Sequence, residues 1–226
     1  MIKITHPQQL EDWKSEIKQN RPQFMKTVVI SSGTCGQASG SLPVIERFRE
    51  ELSKRGLDET YSLLITGCHG PCQFEPNIII VPDNTFYKNL TPQDVPEIIE
   101  KTLVKSEIIP RLVYKDRETE KSFSIQEDIP FYSKQMRLLT ANNPKIDPTS
   151  LEDYIALDGY KALAKVLFDM TSEETIAEIS EAGLRGRGGA GFPAGKKWEI
   201  CRNARSDVKF IICNADEGDP LSLIHI

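Results

Sequence analysis

Two stretches near the end of the chain collect residue types that can hold a nucleotide. The first is Gly186-Arg187-Gly188-Gly189-Ala190-Gly191, which satisfies G-x-G-x-x-G and leads through Phe192-Pro193 into Ala194–Asn203, read as a helix. Glycines let a backbone approach a flat or charged ligand closely. A helix that begins just after them offers N–H groups and a positive dipole end to an anion. Arg185, Arg187, Lys196 and Lys197 add charge suited to phosphates. A dinucleotide fingerprint of the Rossmann kind follows a strand inside a βαβ unit. Here a helix precedes the loop, so that reading fails on context. A flexible basic surface loop is the competing possibility. The aromatic Phe192 between loop and helix argues against it, because a buried ring there stiffens the loop.

The second stretch is Cys213-Asn214-Ala215-Asp216-Glu217-Gly218-Asp219-Pro220, after an apolar run, Val208–Cys213, read as a strand. Ligands of open α/β sheets bind beyond the carboxyl ends of strands. Asn214 can donate and accept hydrogen bonds, and Asp216, Glu217 and Asp219 can accept them from sugar or ribityl hydroxyls. Taken alone, the same residues suit an acidic solvated turn equally well.

The elements that must position these groups fall into two parts. Residues 6–20 have the pattern of a short amphipathic helix. Lys26–Ser31 is apolar and β-branched and reads as a strand, with Tyr61–Thr66 and Asn77–Val81 as two more. Leu42–Lys54 carries Val44, Ile45, Phe48 and Leu52 at helical spacing, and Thr91–Val104 opens on a capping Thr91 followed by Pro92. The order β, α, β, β, α indicates a small α/β domain of thioredoxin-like size over residues 1–105. Residues 106–130 are charged and irregular and read as a linker, with a hairpin at most. From Phe131 the pattern is helical, with Ser150–Leu157, Gly159–Phe168 and Ser172–Ala182 as helices, the last opened by Thr171-Ser172-Glu173-Glu174.

LRGRGGAGFPAGKKW followed by ICNADEGDP resembles the flavin and NADH site of the diaphorase subunit of respiratory complex I, a family that recurs in NAD-linked hydrogenases and formate dehydrogenases. IPFYSKQMRLL, IDPTSLEDYIALDGYKALAKVL and MTSEETIAEISEAGL resemble its N-terminal helices, so the likeness runs from about residue 129 to residue 220. The resemblance implies FMN and NAD(H) as cofactors. It places Gly186, Arg187, Gly188 and Lys197 against the flavin, with Gly189 and Gly191 completing the loop. Phe192 matches an aromatic beside the nicotinamide nucleotide. Asn214 and Asp216 match flavin contacts, Glu217 an acid near the flavin, and Asp219 a position where some members have Glu. The implied chemistry is hydride transfer from NADH to flavin, then single-electron release to iron–sulfur clusters. The protein supplies orientation and electrostatics, so no side chain is singled out as an acid or base.

SSGTCGQASGS and TGCHGPCQFEPNIIIV, within residues 24–105, resemble the thioredoxin-like ferredoxin module fused ahead of this subunit in hydrogenase and formate dehydrogenase relatives. That form uses C-x4-C then C-x3-C. Cys68 and Cys72 match the second pair and Cys35 the later member of the first. Counting back puts the fourth ligand at Ile30, or with a one-residue slip at Ser31. Isoleucine cannot ligate, and a serine oxygen is a poor substitute for a soft thiolate. The expectation is therefore a degenerate domain without a standard [2Fe–2S] cluster, its three cysteines buried thiols. A cluster completed by Ser31 or by a partner's cysteine is the alternative.

The fold class expected is thus α/β, with a thioredoxin-like N-terminal domain, then, over 131–220, the helical start and first strand of a Rossmann-like FMN-binding domain. The [4Fe–4S] cluster of the family belongs to a C-terminal part expected to be missing, and the fragment alone is expected to be inactive. Expected partners are the other subunits of an NADH dehydrogenase, hydrogenase or formate dehydrogenase complex. Asp and Glu total 33 against 28 Lys and Arg, a net charge of −5, which argues against a nucleic-acid binder. No apolar run approaches the roughly 18 residues of a membrane span, so direct insertion is not expected. The N-terminus lacks a signal-like apolar core, and five cysteines suit ligands and thiols better than a disulfide framework. Location is read as cytoplasmic, membrane-peripheral at most through partners.

Two rival functions fit the same residues less well. A docking module would hold partner subunits and stay colourless. A thiol–disulfide oxidoreductase would need C-x-x-C at a helix start, whereas Cys68-x-x-x-Cys72 has three intervening residues. His69 reads as a loop residue, and Trp13 and Trp198 as packing residues. Leu221–Ile226 (LSLIHI) is read as an artefactual tail, because the family continues after GDP with a glycine-containing segment and this string resembles a translated sequencing-library adapter.

Overall fold

The computed structural model describes residues 4–138, 140–210, 212 and 214. Within them the elements are α1 (Pro7–Asn20), β1 (Lys26–Ser31), α2 (Thr34–Ala38), α3 (Ser41–Lys54), β2 (Tyr61–Thr66), β3 (Ile78–Val81) and β4 (Thr85–Tyr87). There follow α4 (residues 92–104), a hairpin of β5 (Tyr114–Lys115) and β6 (Ser122–Phe123), and α5 (Pro130–Ser133), α6 (Leu151–Ala156), α7 (Lys161–Asp169), α8 (Ser172–Glu181) and α9 (Ala194–Asn203). α4 is one helical run of 3-10, α and π pieces, Pro92–Asp94, Val95–Glu97 and Ile98–Val104. The chain divides into two compact units, Glu11–Gly159 and Met1–Leu10 with Tyr160–Ile226.

The first unit is built on a four-stranded sheet in the order β2-β1-β3-β4. β1 runs parallel to β2 and antiparallel to β3, and β3 pairs antiparallel with β4. Strand residues alternate between faces, and the burial follows that alternation. Val28, Ile30, Ile78, Ile80 and Tyr87 lie in one core with Val44, Ile45, Phe48 and Leu52 of α3 and Val95, Ile98, Ile99 and Leu103 of α4. Val29, Ile79 and Phe86 form a second core with Phe74, Ile129 and Tyr132. A sheet covered on both faces explains why β1 and β3 are nearly continuous apolar runs.

Residues 106–130, expected as a linker, are part of this unit. Ile109, Leu112 and Val113 are buried in the first core and Ile129 in the second. The Phe86 amide donates to the Ser124 carbonyl at 2.7 Å and the Lys88 amide to the Leu112 carbonyl at 3.1 Å. The compact body therefore continues past residue 105 to Gly159. The helical reading from Phe131 fails over its first part. Between α5 and α6 the described residues hold only a single 3-10 turn, Asn143–Lys145.

In the second unit, α8 opens on a capping box: the Glu174 amide donates to Thr171 Oγ1 at 3.2 Å, and the Thr171 amide to Glu174 Oε2 at 2.8 Å. Neither α7 nor α8 fully buries a residue, and Leu163, Leu167, Phe168 and Ile200 stay exposed. The expected strand over Val208–Cys213 has no strand assigned at its described residues, 208–210 and 212. A strand needs a neighbour to pair with, and no strand is assigned among the described residues of this unit.

Candidate functional site

The glycine loop lies between α8 and α9 and is tied at its base. The Gly186 amide donates to the Phe192 carbonyl and the Ala194 amide to the Leu184 carbonyl, both at 2.8 Å. Arg185 and Pro193 form an antiparallel bridge, and Arg185 Nε donates to the Gly191 carbonyl at 2.6 Å. Gly189 and Gly191 take φ values of 97° and 61°, a left-handed backbone that costs other L-residues roughly 1–2 kcal/mol. Gly191 is buried, Gly189 half-buried, and Gly186, Arg187 and Gly188 exposed. A Cβ at Gly188 would meet nothing within 4 Å. The result is a closed loop with an open glycine crest.

Phe192 departs from expectation. Its side chain is 49% exposed, so backbone bonds and left-handed glycines, not a buried ring, hold the loop. Trp198, expected to pack, is 39% exposed and lines a cleft of about 470 Å³ with Ile176, Lys197, Arg202, Lys209 and Phe210. Lys197 is exposed on the first turn of α9, its amide bonded to the Pro193 carbonyl at 3.1 Å. Lys196 pairs with Glu199 at 2.6 Å. Asn214 is exposed. Asp216, Glu217 and Asp219, and the Leu221–Ile226 tail, lie outside the described residues. The structure thus assembles Gly186 to Phe192 and Lys197, and leaves the acidic half of the expected site undescribed.

The cysteines gather at the other candidate site, at one end of the four-stranded sheet. β1 and β2 are parallel, with Ser31 opposite Thr66, so the segments that leave them emerge side by side. Gly33 permits their close approach: a Cβ there would lie 3.3 Å from the Cys68 amide nitrogen. Cys35 stands on α2, Cys68 after β2, and Cys72 on the 3-10 turn that follows. The Gly70 amide donates to Cys68 Sγ at 3.2 Å. The adjacent Cys72 thiol, chiefly, and then Cys68 and Glu75 push the Cys35 thiol above its usual range. Cys35 and Cys72 are exposed and Cys68 is half-buried, so the three are not the buried thiols expected. Among the described residues no three His, Cys, Asp or Glu side chains converge closely enough to hold a metal ion.

Behind the cysteines is a polar network that the residue pattern did not disclose. Ser31 Oγ donates to Glu75 Oε1 at 2.5 Å, and both residues are buried. Burial pushes the Glu75 carboxyl above its ordinary value, against the hydrogen bond from Ser31. His69 is no loop bystander: it is 1% exposed, with Nδ1 2.9 Å from Asn77 Oδ1 and Nε2 2.7 Å from Thr66 Oγ1. Burial holds its pKa down to about 4. The neutral ring then donates from Nδ1 to Asn77 Oδ1, leaving Nε2 to accept from the Thr66 hydroxyl. Arg137 Nη1 donates to the His69 carbonyl at 3.4 Å and its guanidinium sits 5.0 Å from the Tyr132 ring centre. Asn143 Nδ2 donates to the Cys68 carbonyl at 3.0 Å. The segment after the sheet thus clamps the cysteine loop. The E-P pair three residues beyond Cys72 was the available signal for Glu75.

Residues 17–103 match the family model of the thioredoxin-like [2Fe-2S] ferredoxin, and residues 179–225 that of the Nuo51 FMN-binding domain. Among curated relatives, the NADP-reducing hydrogenase subunit HndC of Solidesulfovibrio fructosivorans is 56% identical over 87 residues, 38% of this chain and 18% of that protein. An NADH-quinone oxidoreductase subunit of Aquifex aeolicus is 44% identical over 85 residues, 38% of this chain and 19% of that protein. The chain spans less than a fifth of the length of these relatives. Among solved structures, the thioredoxin-like [2Fe-2S] ferredoxin of Aquifex aeolicus is 28% identical with a TM-score of 0.38, covering 42% of this chain and all of that one. Among the described residues no helix is long and apolar enough to cross a membrane.

Proposed function

We propose that this chain, which joins a thioredoxin-like ferredoxin-type domain to part of a Nuo51-type FMN-binding domain, belongs to an NADH-oxidising flavoprotein. The observation that carries the reading is the glycine loop itself. Its base is closed by the Gly186–Phe192 and Leu184–Ala194 backbone bonds while its crest stays open. An exposed glycine backbone with Arg187 and Lys197 beside it suits the phosphate and ring edge of FMN.

In this reading Gly186, Gly188 and Gly189 let the backbone reach the cofactor, and Gly191 turns the chain into α9. Arg187 and Lys197 meet phosphate charge, and the half-exposed ring of Phe192 would stack on NAD(H). Asn214, Asp216, Glu217 and Asp219 hold hydroxyls and ring edges. FMN, when bound, supplies the hydride-accepting chemistry. The chain's own residues bind, orient and neutralise charge, and none need carry a proton. Iron–sulfur clusters, among them a [4Fe–4S] centre, would carry the electrons onward to partner subunits of an NADH dehydrogenase, hydrogenase or formate dehydrogenase complex. The assembly is cytoplasmic or membrane-peripheral.

The test is flavin content and NADH oxidation in the longer protein of which this chain is a part. A colourless preparation that still binds its partner subunits would replace this reading with a docking role.

A further inference from the structure

The front unit has the fold and three of the cysteines of an iron–sulfur domain, and what occupies the fourth corner can be read from its side chains. A [2Fe–2S] cluster of the ferredoxin kind takes four thiolates. Spacing alone points to Ile30 as the position without one. The pleat of β1 corrects this: Ile30 is fully buried in the core against α3 and α4, and successive strand residues face opposite ways. The residue turned the other way, at the strand end beside the cysteines, is Ser31.

Ser31 is not available as a ligand there. It is fully buried and its hydroxyl is committed to Glu75 Oε1 at 2.5 Å. The Glu75 carboxyl fills the space beyond. A Cβ on Gly36, the neighbour of Cys35, would lie 2.9 Å from the Ser31 carbonyl oxygen and 3.3 Å from Glu75 Oε2. Glu75 is only 6% exposed, and its Oε2 has no hydrogen-bond partner. Burial makes the carboxylate costly, and the carboxyl stands where a fourth ligand would have to enter. A buried carboxyl already bonded to Ser31 and a hydroxyl committed to it are poor replacements for the soft thiolate that an iron–sulfur cluster takes. The residues present do not fit a four-thiolate cluster.

We propose that the Ser31–Glu75 pair occupies the fourth ligand corner, so that the front unit carries three thiols and no [2Fe–2S] cluster, and that Ser31 is the position from which a thiolate would complete one. This inference concerns the front unit alone, and its outcome is independent of flavin binding.

The experiment is anaerobic reconstitution of the 226-residue chain with ferrous iron and sulfide. Its readouts are bound iron and sulfide, the visible spectrum, and the electron paramagnetic resonance spectrum after reduction. The wild type is expected to retain neither metal nor signal after desalting. Ser31→Cys/Glu75→Ala, which adds the thiol and clears the carboxyl, is expected to bind iron and sulfide in cluster stoichiometry and to show a reduced [2Fe–2S] signal. Adding Cys35→Ala should abolish it. Circular dichroism checks folding, and if the double variant is unfolded, Ser31→Cys alone serves in its place. A stoichiometric cluster in the wild type overturns the proposal. So does a folded thiol variant that assembles none.

Discussion

The Gly186 amide donates to the Phe192 carbonyl at 2.8 Å, bringing together the two ends of the glycine loop. Inside that closure Gly189 and Gly191 hold left-handed φ values of 97° and 61°. A side chain at either position strains the loop by about 1 kcal/mol or more. In the longer protein, Gly191→Ala is therefore expected to lower FMN occupancy severalfold, while Gly188→Ala, where a Cβ meets nothing within 4 Å, perturbs the fold little. Flavin counted per polypeptide by absorbance checks this. Equal, full occupancy in Gly191→Ala would show that the loop's closure does not matter to the ligand.

His69 predicts a pH dependence. Its folded pKa is lowered from 6.5 to about 4 by burial. The depressed value means that the folded state prefers the neutral ring. Its stabilising share is full above pH 6.5 and is lost as the pH falls toward 4, by about 3 kcal/mol across that window. Glu75 acts oppositely, because its carboxyl is raised by burial. Its share is full below the ordinary value of 4.5 and is lost as the pH rises. His69→Gln separates the two. Urea midpoints of the front unit should fall between about pH 6.5 and 4.5 in the wild type and fall less in the variant. Parallel curves for the two proteins would remove His69 from the account.

Packing of residues 106–130 makes a third prediction. Ile129 is fully buried in the second core, with Val29, Phe74, Ile79, Phe86 and Tyr132. Ile129→Ala should cost about 2–5 kcal/mol of front-unit stability. In a free linker the same change would cost almost nothing. Chemical denaturation of the chain distinguishes them, and a change within error would return this segment to the role of a connector.

Much of the architecture was legible, for identifiable reasons. β1, β2 and α9 fall where the residues placed them, because a β-branched run or an apolar period is bounded by turn residues on each side. β4 was missed: Thr85–Tyr87 is three residues long and follows the Pro82-Asp83-Asn84 turn, too short to show a period. Ile109, Leu112, Val113 and Ile129 sit among charges on an irregular path, where burial leaves no regular spacing. At the sites, residue types were readable and environments were not. Phe192 and two of the three cysteines, expected buried, are exposed, and Cys68 is half-buried. His69 reads as a loop residue and is locked between Thr66 and Asn77. Counting back leaves Ile30 and Ser31 as alternatives for the fourth ligand position, because a spacing rule carries no information about which way a strand residue faces.

The central claim is that the glycine loop holds flavin, and FMN occupancy tests it most directly. Purified from its native host, the longer protein should be yellow, with FMN near one per polypeptide, bleached on adding NADH. Lys197→Ala and Asn214→Ala should each lower that occupancy severalfold while leaving the circular dichroism spectrum unchanged. A colourless wild type, or full occupancy and bleaching in both variants, would contradict the account.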